Sequence, residues 1–194
     1  PPQILESHLK REKASALIKT QSGHIIGLCS AFRSVNHPLV WEGGSVMVMH
    51  SYRNKGGIMA SVEYLTKDLL PQYDIDVLYG ESVMNHKVTQ ILCRKRKMKA
   101  GTIQLGVLDV DLPDYPNFRD SLLMQFGIRN QNEFTVYIPS IYADFLKKIY
   151  ENLSVPRQII EDANAEDSGQ KTEWSVQKYE LSGISRAYIP VTGS

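Results

Sequence analysis

Cysteine is nearly absent from this 194-residue chain: only Cys29 and Cys93 occur, far apart and without metal or redox spacing. They read as small core hydrophobes of a reducing cytosol rather than as a bridge. No apolar run approaches the ~20 residues that a membrane helix needs. No basic-plus-apolar leader opens the chain, so no secretory signal is visible and the reading is cytoplasmic. An excess of one charge is lacking too, since 22 Lys and Arg face 21 Asp and Glu for a net charge of +1. Near-neutrality gives no global pull towards nucleic acid or a membrane surface. The five histidines show no paired spacing with Cys, Asp or Glu, which leaves a zinc site unsupported. There is no Gly-x-Ser-x-Gly elbow for a serine hydrolase. There is also no Gly-Lys-Ser/Thr ending for a nucleoside triphosphate loop.

What is present is the composition of a soluble globular protein, 42% hydrophobic and long enough for one good core, or for one domain and part of another. The chain opens Pro-Pro without an initiator Met and closes Val-Thr-Gly-Ser, as a fragment of a longer protein would. The organising stretch is 46–70, VMVMHSYRNKGGIMASVEYLTKDLL. Val46, Met47, Val48 and Met49 are consecutive apolar residues, the pattern of a strand buried on both faces. Tyr52-Arg53-Asn54-Lys55-Gly56-Gly57 breaks that run. The paired glycines allow a sharp turn and leave the main-chain N–H groups uncovered. From Ile58 the apolar positions Ile58, Val62, Leu65 and Leu69 follow one face of a helix. A helix start carries unpaired N–H groups and positive dipole charge, so strand, basic glycine turn and helix together make an anion cradle. The other reading is a plain strand-to-helix turn with solvated Arg53 and Lys55.

Around this unit the pattern predicts a β-hairpin over 13–32, with its turn at Gln21-Ser22-Gly23 and a packed face of Ile25, Gly27, Cys29 and Ala31. A loop over 33–41 leads to Glu42, Gly43 and Gly44, which open the central strand. A half-buried strand is expected over 74–81 with Ile75, Val77 and Tyr79 alternating, then a helix to about Met98 with Val88, Ile91, Leu92 and Lys95 on one side. A strand is expected over 101–110, irregular chain over 112–132 and a strand over 133–138. A helix capped by Ser140 follows, with Ile141, Phe145, Ile149 and Leu153 on one face. A mobile acidic loop over 162–172 and a last hairpin over 174–191 close the chain.

The wording of the glycine turn resembles the acyl-CoA signature of the GNAT superfamily, the N-acetyltransferases. In that signature a strand ending in Val leads to Arg/Gln-x-x-Gly-x-Gly/Ala and then to a helix. Here Arg53 and Gly56 match the first two fixed positions, and Ile58 stands where Gly or Ala is expected. The resemblance covers about 13–110. Together with His86-Lys87-Val88-Thr89-Gln90, Gln104-Leu105-Gly106 and Val136-Tyr137-Ile138-Pro139 it extends to a bacterial GNAT-like group whose domain sits beside a second related half.

The resemblance implies an α/β (α+β) fold, with a mixed, mostly antiparallel central sheet flanked by helices. It implies a GNAT-like acyl-CoA-binding domain over 1–111, and a C-terminal extension over 112–194 that belongs to a second GNAT-like half. It also implies direct transfer of an acyl group from acetyl-CoA, or another acyl-CoA, to the amine of a small molecule or protein. The alternative is a non-catalytic acyl-CoA-binding sensor or regulatory module. A homodimer or an attached signalling domain is the implied assembly; neither membrane nor nucleic acid is.

Carried over residue by residue, the cofactor contacts are Met47, Val48, Met49, Arg53, Asn54, Lys55, Gly56, Gly57 and Ile58, with Asn85 towards the cofactor arm. Asn85 reads equally as a helix N-cap. Glu42 occupies the place of a base and His86 that of a thiolate-protonating acid. Their bland readings are an exposed strand-end carboxylate and a structural histidine. The tyrosine that the resemblance calls for along the helix after Asn85 is missing. The basic run Arg94-Lys95-Arg96-Lys97-Met98-Lys99 reads as a solvated helix end, a contact to the 3′-phosphate of CoA, or a nucleic-acid patch.

Overall fold

A computed structural model describes residues 2–34, 37–110, 118–131, 133–161, 175–179 and 184–188. A short helix α1, Pro2–Leu9, precedes the hairpin of β1, Lys13–Lys19, and β2, Ile25–Phe32. β3, Val40–Val48, pairs antiparallel with β2 and leads through a 3-10 turn, His50–Tyr52, into α2, Gly57–Tyr64. Next come β4, Val77–Val83, α3, Val88–Lys95, β5, Lys99–Asp109, and β6, Arg119–Ile128. These strands form a six-stranded sheet in the order β1-β2-β3-β4-β6-β5, in which only the β3–β4 pair is parallel. Four helices accompany the sheets among the described residues. The fold is therefore the mixed, mostly antiparallel α+β arrangement expected.

The core lies between the sheet and the α2 segment. Ala14, Ala16, Cys29, Ala31 and Trp41 project from β1, β2 and β3 onto Leu65 and Leu70. The helical segment is not one regular helix. α2 passes at Leu65–Leu69 into a π turn and then into a 3-10 turn, Leu70–Gln72, that contains Pro71. A π turn brings residues five apart onto one face. Leu65 and Leu70 are accordingly both buried, while Val62 and Leu69 only flank the core. Burial raises the pKa of both thiols, Cys29 and Cys93, as it does for small core residues.

Several expectations need correction. The stretch 119–128, expected to be irregular, is β6, inserted between β4 and β5. Polar residues on its buried positions mask the period-two pattern. Asp120 and Gln125 are buried, Gln125 accepting a hydrogen bond from Ser82 Oγ at 2.9 Å. β6 thus lies inside the main sheet although it follows the boundary expected at 111/112.

Ser140 is the first residue of α4, Ser140–Leu153, whose N-cap is Pro139 with no side-chain cap. On the face expected to pack, Ile141 and Phe145 are exposed. α4 links β7, Phe134–Ile138, to β8, Arg157–Glu161, which pair in parallel as a separate two-stranded sheet. β9, Ser175–Tyr179, and β10, Ile184–Tyr188, form the last hairpin. The loop expected over 162–172 lies outside the described residues, as does Asn36.

The most consequential difference concerns residues 46–49. Val46, Met47 and Met49 are 37%, 55% and 55% exposed, not buried on both faces. β3 and β4 pair only from Val40–Val77 to Gly43–Gly80, and beyond that point β3 has no partner on its β4 side among the described residues.

Candidate functional site

The parting of β3 and β4 has a local cause in β3. Between Leu28–Met47 and Ser30–Gly44 the register with β2 shifts, so Ser45 and Val46 together face Cys29. Ser45 takes a positive φ of 50°. The extra residue is a β-bulge, which bends its strand and increases the twist. It falls immediately after the last β3–β4 pair, and the bend carries β3 away from β4.

The gap opens into a cleft of about 780 Å³. Its walls are the β3 end from Gly43 to Val48, the turn from Tyr52 to Met59, Glu81 and Val83 of β4, and His86, Val88, Thr89, Ile91 and Leu92 at the start of α3. The outer end is the glycine turn. Asn54 has φ 61° and Gly56, the N-cap of α2, φ 79°. These left-handed conformations reverse the chain within a few residues. The first bond of the helix ladder runs from Ala60 N to Gly56 O at 3.1 Å. The N–H groups before Ala60 therefore stand outside the ladder, at the positive end of the helix dipole. Nothing lies within 4 Å of where a Gly56 Cβ would point, so the space above the turn is open. A Gly57 Cβ, by contrast, would meet Ile18 Cγ2 at 3.4 Å, which marks Gly57 as a packing position. Arg53 and Lys55 line the same end, with Lys55 Nζ 5.1 Å from the Tyr52 ring centroid. Open backbone donors, a helix start and two cations fit a phosphate-bearing ligand.

The residues carried over from sequence are mostly brought together here. Met47, Val48, Arg53, Asn54, Lys55, Gly56, Gly57, Ile58 and His86 all line the cleft. Met49 does not; its N–H is bonded to Ile26 O at 2.8 Å. Asn85 also stands outside the lining, and its N–H reaches Asp120 Oδ2 at 3.4 Å. The N-cap of α3 is Lys87, which disposes of the capping alternative for Asn85. His86 Nδ1 accepts from Val88 N–H at 3.4 Å. Apart from Arg96 and Met98, which line a separate space behind the cleft, the basic run lies at the far end of α3. Arg94 and Lys95 occupy the last turn, Lys97 follows in a left-handed conformation, and none of the three lines the cleft.

Glu42 is not a cleft residue either. It faces Tyr79 across the parallel pair, and the Tyr79 hydroxyl donates to Glu42 Oε2 at 3.2 Å while also pairing with Ser34 Oγ. Burial pushes the Tyr79 phenol up to about 12, the Ser34 bond opposing it and the Glu42 charge adding to it. Strand alternation places Glu42, Gly44, Tyr79 and Glu81 on one face of the sheet, and Trp41, Gly43, Leu78 and Gly80 on the face towards α2 and α3. Glu81 is therefore the carboxylate that reaches the cleft. Sequence reasoning missed it, although its place two residues beyond Tyr79 in an alternating strand was a usable signal. Thr89 was missed too; its Oγ1 is buried with no hydrogen-bond partner among the described residues. The described residues hold no cluster that could bind a metal ion, and no helix among them is long and apolar enough to cross a membrane.

No protein-family profile matches the sequence, and no curated protein matches it. Solved structures do match the fold. RimL, described as a ribosomal L7/L12 alpha-N-protein acetyltransferase, superposes with a TM-score of 0.54 at 13% identity, over 66% of this chain and 76% of that one. A ribosomal-protein-alanine N-acetyltransferase from Brucella melitensis gives 0.53 at 17% identity, over 66% and 76%. An N-acetyltransferase from Staphylococcus aureus Mu50 gives 0.53 at 12% identity, over 66% and 74%. At these identities it is the architecture alone that is shared: this chain has the fold of the GNAT N-acetyltransferases.

Proposed function

We propose that the chain is an acyl-CoA-dependent N-acyltransferase that transfers its acyl group directly to an amine. One observation carries the reading: the cleft between the parted β3 and β4 ends on the open, cationic, Gly56-capped start of α2. The N–H groups at the head of α2, with Arg53 and Lys55, would hold the pyrophosphate. The β3 edge beyond Gly43, free of β4, would offer backbone groups to the pantetheine amides, as an unpaired strand edge offers them to any extended ligand.

Transfer requires a neutral amine at the thioester carbonyl. The amine nitrogen forms the new bond, the C–S bond breaks, the thiolate leaves and the amine proton passes to a base. Glu81 and Glu42 share the sheet face away from α2 and α3, so on this reading the acceptor would approach from that face. Glu81, which lines the cleft, would take the proton; Glu42, bonded to Tyr79, would act only from behind it. His86, which also lines the cleft, would return a proton to the thiolate.

Calorimetry with acetyl-CoA and CoA, followed by a screen of amines for free-thiol release, tests the proposal. Binding with turnover on an amine is the expected result. Binding without turnover on any amine would move the assignment to a sensor. No heat with either ligand would end it.

A further inference from the structure

Behind the cleft, between the sheet and the α2 and α3 helices, lies a second space of about 70 Å³. The two adjoin: Gly43, Gly44, Val46, Glu81, Thr89 and Leu92 line both. The inner space lies where the sheet has almost no side chains. Gly43 and Gly80, the last parallel pair, both face it, and a Cβ on Gly80 would meet Cys93 Sγ at 3.1 Å. Its other walls include Cys29, Val62, Leu65 and Leu78, beside Ser30, Thr66 and Ser82, whose hydroxyls are already hydrogen-bonded.

We infer that the acyl group accepted here is an aliphatic chain longer than acetyl, of about four carbons, with its tail in this inner space. The inference rests on the acyl-CoA reading above. Three observations carry it. The first is size: a cavity of roughly 150 Å³ holds benzene, about 25 Å³ per carbon, so this one takes about three carbons beyond the carbonyl. The second is position. The inner space adjoins the cleft where β3 and β4 part, so a chain that follows the gap inward is directed to it. The third is Thr89, whose partnerless hydroxyl stands in the shared lining, where it can donate to the acyl carbonyl.

A tail ending in a carboxylate fits less well. Arg96 lines the inner space, with Nε buried and without a hydrogen-bond partner among the described residues, so charge alone would favour such a tail. Size opposes it: the two methylenes and carboxylate of a succinyl tail exceed the space for about three carbons.

The test is calorimetric titration of the whole chain with CoA, acetyl-CoA, butyryl-CoA, octanoyl-CoA and succinyl-CoA. Butyryl-CoA should bind about ten-fold more tightly than acetyl-CoA, as two additional buried methylenes imply. Octanoyl-CoA should gain nothing further. Gly80→Ala should bring the butyryl-to-acetyl ratio close to one by filling the space from the sheet side. Val62→Leu, which fills it from α2, gives the same readout should Gly80→Ala fail to fold. Equal affinity for acetyl-CoA and butyryl-CoA, with both binding, overturns this inference and leaves the acyl-CoA reading standing. Tighter binding of succinyl-CoA than of butyryl-CoA overturns it in favour of an Arg96-paired tail. Failure of CoA and every ester to bind sinks both readings together.

Discussion

Tyr79 and Glu42 face each other across the one parallel strand pair of the main sheet, and the Tyr79 hydroxyl donates to Glu42 Oε2 at 3.2 Å. The contact sits two residues behind Glu81, on the same sheet face. It joins the structural half of β4 to the half that lines the cleft.

The buried Tyr79 phenol makes the protein sensitive to alkali. An unfolded tyrosine titrates near pH 10, whereas Tyr79 is held at about 12, chiefly by burial. The folded state therefore keeps its proton longer than the unfolded state. The stabilisation is fully present below about pH 10 and is lost as pH rises through about 12. Urea unfolding across this range should show stability falling, and Tyr79→Phe should flatten the slope. An equally steep slope in Tyr79→Phe would assign the sensitivity elsewhere.

The two carboxylates separate by turnover. Once an amine acceptor is found, Glu81→Gln should lower kcat by about 100-fold, the scale of a lost general base. Glu42→Gln, acting through Tyr79, should cost clearly less. The reverse ranking in steady-state kinetics would move the base to Glu42.

The glycine turn has its own variant. Gly56→Asp puts a Cβ and a negative charge into open space at φ 79°. Charge-assisted hydrogen bonds of about 1.5–3 kcal/mol each are then opposed, so CoA affinity should fall at least about ten-fold. Arg53→Ala should lose less, because the backbone donors at the head of α2 survive. Thermal shifts with and without CoA on both variants, after circular dichroism confirms folding, give the comparison. Unimpaired binding by folded Gly56→Asp would remove the cradle and the acyltransferase reading with it.

The basic run makes the contrary prediction. Lys95→Gln and Lys97→Gln lie at the end of α3 away from the cleft, so CoA affinity should stay within about three-fold. A larger loss that vanishes with dephospho-CoA would place the run on the 3′-phosphate.

Packing at the bulge is testable without a ligand. A Gly27 Cβ would fall 2.7 Å from Met47 O, a backbone atom of β3. Gly27→Ala should therefore destabilise the fold by about 1–3 kcal/mol, the range for overpacking. Urea midpoints would show it; an unchanged midpoint would mean that β3 moves freely there.

The strand, the basic glycine turn and the helix start were legible in the sequence because their signals are local. Apolar runs, adjacent glycines and the spacing from Ile58 act within a few residues of themselves. The hairpin of β1 and β2 was legible for the same reason. β6 was not, since Asp120 and Gln125 occupy core positions that only partners from other strands and loops, Asn85 and Ser82, make tolerable. Nor could residues 46–49 be read correctly. Their apolar pattern suits a buried strand, but burial depends on a neighbour, and β4 parts from β3 after Gly43 and Gly80. The placement of Glu81 rather than Glu42 in the cleft follows from that parting, as does the space behind Thr89. Local chemistry determined what the turn can hold. The long-range pairing of strands decided where the cleft opens, which carboxylate faces it, and how deep it runs.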